Sequence, residues 1–537
     1  MKFKSIFLSA ALALFLVSCG AKKITAEPLA ITTPVVAKKA KITETDEKRW
    51  SHLDLFKDTI PGMSVDRVYE LLKGRKSTKV VVGVIDSGVD IEHPELKDVI
   101  WTNKKEIAGN GIDDDNNGYI DDVHGWNFLG DIEHENMEYV RMLKKGDDGS
   151  EAYKRATAEY EKDFKEAQAA TQRMGFILKA DKTLQEKTGK EHYTAEDLKA
   201  LKIDDPMLSQ LKDRFIMFLS QVPHEELIGQ IKDGVEHYES ELKYHLNKDY
   251  NARKDILKDN ADDWNSKTYG NANVIGPEKE GAKHGTHVAG IIAQARGNNV
   301  GGDGVATSHV EIMAVRAVPD GDEYDKDVAL AIRYAVDNGA KVINGSFGKY
   351  YSPHSQWVYD ALKYAGEKDV LVVFAAGNEG IDLDADKSER YPNDDKNTLD
   401  EYTNNVLTIG ALSYNYGEDL VADFSNYGKT KVDVFSPGVR IYATVPNDKY
   451  EFLQGTSMAS PNAAGVAALV RAYYPKLKAA EVKQIIMKSG IAIPQEVILG
   501  GDENTTRQFK ETCRSGKIVN AYNAIILADK VSRGEKL

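Results

Sequence analysis

The run Lys79-Val-Val-Val-Gly-Val-Ile85 is rich in β-branched residues and lacks a polar face. A strand apolar on both sides belongs inside a parallel sheet covered by helices. The same pattern recurs at residues 310–318, 341–343, 370–375, 406–409 and 431–435. Helical spacing falls between several of these runs, notably at 325–338, closed by Gly339, and at 355–367. This alternation predicts an α/β fold: a doubly wound, mostly parallel sheet with helices on both faces. Binding and catalytic groups in such sheets gather at the carboxyl ends of the strands.

One stretch breaks the alternation. Residues 138–263 hold 22 Lys/Arg and 27 Asp/Glu among 126 residues, which is too polar for a sheet core. Apolar side chains recur there at helical spacing, at Tyr153/Tyr160/Phe164 and at Ile228/Ile231/Val235/Tyr238/Leu242. Asp205 before Pro206 marks a helix start, and Thr194 with Asp197 forms a capping box. The stretch is expected to be a charged α-helical insertion whose charge is most simply a solvated face. It divides the α/β domain into 46–137 and 264–530, leaving 531–537 as a tail.

At the N-terminus, Lys2 and Lys4 precede an apolar run from Ile6 to Val17 that ends in Leu16-Val17-Ser18-Cys19. Residues 1–18 read as a signal peptide, too short to span a bilayer. The ending resembles the bacterial lipobox, which implies acylation of Cys19 and anchoring in the cell envelope, at the periplasmic face or the cell surface. An ordinary cleaved signal with a chance cysteine is the competing reading. Residues 19–45, rich in Ala, Thr, Pro and Lys, are expected to be a tether. With Cys19 lipidated, Cys513 has no partner for a disulfide and is expected to be a buried thiol.

Composition narrows the function classes. With 42% hydrophobic and 29% charged residues among 537, neither whole-chain disorder nor an integral membrane protein fits. The net charge of −14 and the lack of a dense basic cluster argue against nucleic acid as a partner.

Three short motifs each present a different reactive group: Ile85-Asp86-Ser87-Gly88 at a strand end, His284-Gly285-Thr286-His287 opening a small-residue helix, and Gly455-Thr456-Ser457-Met458-Ala459 at another helix start. Alone, each has a bland reading as a turn or cap. Together they supply what acyl transfer needs: a hydroxyl, an imidazole to take its proton, and a carboxylate to hold that imidazole. The order Asp, His, Ser differs from that of an α/β-hydrolase, which disfavours a lipase or esterase.

With these motifs the chain resembles the subtilisin-like serine proteases. The resemblance implies a serine endopeptidase acting through an acyl-enzyme, with Asp86 as orienting carboxylate, His284 as general base, Ser457 as nucleophile and Asn378, in Ala375-Ala376-Gly377-Asn378, as oxyanion donor. It further implies a substrate-binding role for Ser346, Phe347 and Gly348 and for Ala375, Ala376 and Gly377. No cofactor is expected for catalysis, and the partners are protein or peptide substrates. The family usually has a bulky residue before the serine of the Ser346 segment; here it is Gly345, so specificity at the cleavage site does not follow. His287 is expected to be structural. A catalytically idle peptide-binding lipoprotein of the same fold is the alternative.

Two features stand apart from the triad. Asp113, Asp115, Asn117, Tyr119 and Asp121 resemble an EF-hand-like calcium loop with Gly118 at the turn, but His124 stands where a bidentate Glu belongs, so Asp122 is the substitute ligand. A plain acidic turn explains the same residues. Only 66 residues separate Cys19 from Asp86, too few for a standard pro-domain ahead of the catalytic domain. The insertion, tethered beside the carboxyl edge of the sheet, is expected to act as a lid or to dock a partner.

Overall fold

The computed structural model describes residues 23–37, 41–385, 389–395 and 401–537. Thirteen strands are found among them, numbered here in chain order. They are β1 Val80–Asp86, β2 Gly125–Asn127, β3 Val310–Arg316, β4 Val342–Gly345, β5 Leu371–Ala375, β6 Val406–Leu412, β7 Val434–Pro437, β8 Ile441–Val445, β9 Lys449–Leu453, β10 Ile491–Ala492, β11 Glu496–Leu499, β12 Asp502–Gln508 and β13 Lys517–Ile518. Nine form one sheet in the order β10-β13-β7-β6-β5-β4-β1-β3-β2, and only the β10–β13 pair is antiparallel. The jump from β1 to both β3 and β4 places the end of β1 at a reversal of strand order, where an open α/β sheet leaves a crevice.

The six apolar runs read from the sequence are β1 and β3 to β7. Their residues are buried on both faces, and each fully buried Val or Ile contributes about 1.5–3 kcal/mol relative to exposure. One face is covered by the helices Lys283–Ala293 and Thr456–Tyr473, the other by Asp325–Asp337 and Ser355–Glu367. The short strands β2, β10 and β13 were not readable, because two or three residues carry no periodicity.

Residues 138–257 form helices Glu138–Lys145, Glu151–Thr188, Ala195–Lys199, Pro206–Leu219 and His224–Ser240, followed by two π-helical turns. Asp205 caps the helix at Pro206 by accepting from Met207 and Leu208, both at 2.9 Å, and Thr194 and Asp197 make the capping box. Two small cores hold the helices together. Tyr139, Val140, Ala156 and Leu246 pack with Tyr351 of the α/β domain, while Leu184, Tyr193, Phe215 and Ile228 form a distal core of their own.

One expectation is corrected. Part of the stretch read as a tether is docked: Ile24 is buried, its N–H donates to Asp529 Oδ2 at 2.9 Å, and Leu29 exchanges backbone bonds with the Asn523 side chain at 2.7 and 2.8 Å. Ile24, Leu29 and Ile31 supply too few apolar positions for a periodic signal, yet enough to lie along the helix Ala521–Ser532. Cys19 and residues 1–18 lie outside the described residues. Cys513 is a buried free thiol. No described helix is long and apolar enough to cross a membrane.

Candidate active site

β1 ends on Asp86, which is 1% exposed, and the helix Lys283–Ala293 begins beside it. A Cβ on Gly285 would come 2.1 Å from the Gly88 carbonyl and 3.0 Å from Asp86 Cβ, so glycine is what allows that helix so close. The approach brings His284 Nδ1 to 2.6 Å from Asp86 Oδ1. Asp86 Oδ1 also accepts from Ser87 N–H at 2.8 Å, which fixes the carboxylate. An ionised carboxylate only accepts, so Nδ1 carries the proton and Nε2 is left as the basic nitrogen. Burial pulls the His284 pKa down, but the charge and hydrogen bond of Asp86 outweigh it, and the net position is above the ordinary 6.5. His287, three residues on, is fully buried; burial lowers its pKa to about 3, and Nε2 faces the carbonyls of Ile441 and Glu451 at 3.1 Å.

Ser457 lies at the start of the long buried helix Thr456–Tyr473, which packs against the His284 helix. Its Oγ donates to the Ser346 carbonyl at 3.1 Å. Ser346 Oγ donates back to the Ser457 carbonyl at 2.8 Å and contacts Ser460 Oγ at 2.8 Å, while Asn344 Nδ2 donates to it at 2.9 Å. The Ser346 segment is thereby bound to the helix that carries Ser457.

Asn378 follows β5 on an exposed turn. Its Oδ1 accepts from Thr456 N–H at 2.8 Å and Thr456 Oγ at 2.9 Å. A backbone N–H can only donate, so the atom facing it is the oxygen and the amide NH2 points away. A Cβ on Gly455 would lie 3.4 Å from that nitrogen and 3.6 Å from Ser457 N, so both donors border one small space. Thr456 was not singled out in the sequence; it also accepts from Gly377 N–H at 3.0 Å, holding the Ala375–Gly377 segment in place.

The acidic loop is rearranged relative to its motif. Asp113, Asp115 and Glu106 can each offer an oxygen within 4.8 Å of one another. Glu106 was missed because it lies outside the motif; its Oε1 accepts from Asp114 and Asp115 N–H, and its Oε2 is buried without a hydrogen-bond partner. Asp121 instead caps Asn110 and Gly111 N–H at 3.1 and 2.9 Å. Asp122 is buried, bound by Asn103, Asn117 and Tyr334, and burial raises its pKa. The Tyr119 ring packs on Trp126, Phe128 and Tyr334.

The insertion is fastened near these segments. Lys349, just after Gly348, is buried; its Nζ reaches Glu138 Oε2 at 2.8 Å, Asp325 Oδ1 at 3.0 Å and the Glu323 carbonyl at 2.6 Å. Glu138 begins the first inserted helix, and despite burial its neighbours Arg141 and Lys349 hold its pKa down to about 2. Arg253 and Asp259 of the insertion similarly join Lys326 and Asp327 of the α/β domain.

Comparison with known proteins places a chain with this sheet in a class. The subtilase family model matches residues 77–513, so the chain belongs to the subtilase family, the subtilisin-like serine proteases. It is 42% identical over 188 residues to the thermophilic serine proteinase of Bacillus sp. strain AK1, covering 35% of this chain and 42% of that one. It is 40% identical over 221 residues to the cell wall-associated protease of Bacillus subtilis strain 168, covering 41% and 22%. To subtilisin DY of Bacillus licheniformis it is 36% identical over 225 residues, covering 40% and 74%. The chain thus spans less than half the length of the first two relatives.

Proposed function

We propose that the protein is a serine endopeptidase in which Ser457 attacks the peptide carbonyl, His284 takes and returns the proton, and Asp86 orients His284. The observation that carries the reading is the 2.6 Å contact between Asp86 and His284 Nδ1, which leaves Nε2 basic beside the helix bearing Ser457. Ser457 donates to the Ser346 carbonyl, so attack requires its hydroxyl to rotate towards His284 Nε2, and such bonds tighten when substrate binds. The Asn378 amide and Ser457 N–H then receive the charge that develops on the carbonyl oxygen. An extended peptide pairs with the Ser346–Gly348 and Ala375–Gly377 segments through main-chain hydrogen bonds.

Calcium fits the acidic loop, since three carboxylates including the unpartnered Glu106 oxygen converge there. Glu106, Asp113 and Asp115 would hold the ion, and its role would be to stabilise the loop. The Leu16–Cys19 motif supports export and a lipid anchor in the bacterial envelope, and the insertion limits access of large substrates. Fluorophosphonate labelling tests the enzymatic reading: an adduct on Ser457 with casein hydrolysis supports it, whereas an idle peptide binder would neither label nor cleave, and hydrolysis of a lipid ester alone would indicate an esterase.

A further inference from the structure

The two segments flanking Ser457 end in Gly348 and Gly377, and the guanidinium of Arg390 lies between these glycines. A Cβ on Gly348 would come 2.4 Å from Arg390 Nη2, and one on Gly377 would come 2.8 Å from Arg390 Nε. The guanidinium therefore occupies a gap that two residues without side chains leave open. Its placement is fixed from both ends. Lys349 and Tyr391 exchange backbone hydrogen bonds at 2.9 and 2.8 Å, setting Arg390 beside Gly348, and Arg390 Nη2 donates to the Phe347 carbonyl at 3.0 Å. Lys349 is itself locked by its buried pairs with Glu138 and Asp325.

Among the described residues, the Arg390 guanidinium feels Glu379 and Glu323 without pairing directly with either. A guanidinium has five N–H donors, and the Phe347 carbonyl takes one. Among the described residues Arg390 forms no ion pair. The nearby carboxylates are differently engaged: Glu379 Oε2 accepts from Asn426 Nδ2 at 2.5 Å, and burial raises the pKa of Glu323 to about 7. Guanidinium donors with no further partner among the described residues suit one chemical group above others, a carboxylate held by two parallel N–H bonds.

We propose that Arg390 is a specificity-determining residue that selects Asp or Glu as the substrate residue whose carbonyl Ser457 attacks. The inference rests on the peptidase reading. That substrate residue lies against Ser346 and Asn378, whose neighbours Phe347, Gly348 and Gly377 surround the guanidinium, so its side chain extends towards the guanidinium that fills the gap.

The test uses the full chain and a set of peptides that differ only at this residue, with Glu, Gln, Asp, Asn, Ala, Phe or Lys. The kcat/KM for Glu over Gln, and for Asp over Asn, is expected to favour the acid by about ten- to a hundredfold, the range of a hydrogen bond to a charged group. Arg390→Met, similar in length but uncharged, is expected to lose that preference. Equal rates for Glu and Gln, or a preference for Ala, Phe or Lys, would overturn the proposal, as would an acid preference that survives Arg390→Met. Should the variant fail to fold, the wild-type Glu-to-Gln and Asp-to-Asn ratios still decide. A protein that labels at Ser457 but shows none of this selectivity loses only this inference. A protein that neither labels nor cleaves any peptide loses the peptidase reading and this inference with it.

Discussion

Asp86 and His284 are 198 positions apart in sequence, and the fold brings their carboxylate oxygen and imidazole nitrogen to 2.6 Å. The pair forms because β1 ends at a reversal of strand order and the helix opening with His284 returns to the same edge. The whole charged insertion is spliced into the connection between them.

On the proposed mechanism the pair sets the pH dependence. Substrate attack needs neutral His284, and Asp86 holds its pKa above 6.5. The acid limb of kcat/KM is therefore expected to lie above pH 6.5, with activity rising as pH increases through it. Asp86→Asn removes the raising charge and leaves burial, so the limb moves to lower pH while kcat falls by about 10³- to 10⁴-fold through loss of orientation. A pH–rate profile of both proteins checks this. For stability the sign is opposite: the charged pair stabilises the fold below about pH 6.5 and that contribution is lost as pH rises through the folded pKa.

On the proposed mechanism, Asn378→Ala removes a donor aimed at charge that exists only in the transition state. It is expected to lower kcat by about 10²- to 10³-fold with a much smaller change in KM. Steady-state kinetics on a single peptide separate the two parameters, and a loss confined to KM would contradict the assignment.

Calcium is expected to raise the melting temperature, stabilising the fold by about 2.7 kcal/mol at a hundredfold excess over Kd. Glu106→Gln, and Asp113→Ala with Asp115→Ala, should each abolish the response. Asp121→Asn should leave a response, since Asp121 caps Asn110 and Gly111 instead. Thermal melts with calcium and with chelator decide.

Excising all of 138–263 would strand Lys349, Lys326 and Asp327, whose partners include Glu138, Arg253 and Asp259. A milder deletion follows from Met174 touching Gly234 across the long helices: replacing 175–233 with a linker of about four residues removes the distal core and keeps the anchored base. Faster cleavage of folded proteins with unchanged turnover of a small peptide is expected if the insertion limits access. Unchanged rates on both would make it a passive bundle.

Much of the proposed site was legible in the chain because its motifs are local. The β-branched runs announced the sheet, and Asp86, His284, Ser457 and Asn378 each sit in a short segment with its own glycine. What escaped reading depends on contacts made only after folding. Glu106 joins Asp113 from outside the spacing of the loop, Thr456 orients Asn378 across 78 positions, and Arg390 gains meaning only when β4 and β5 bring Gly348 and Gly377 to either side of it. The docking of Ile24 on Asp529 spans 505 positions and leaves no pattern in the local sequence.

The most direct measurement of the central claim is peptide turnover by Ser457→Ala beside the wild-type chain, with circular dichroism and melting temperature confirming that both are folded. Alanine fits the helix start, so the variant is expected to keep its fold and lose kcat by on the order of 10⁶-fold. Turnover by a folded Ser457→Ala protein at the wild-type rate would contradict the account.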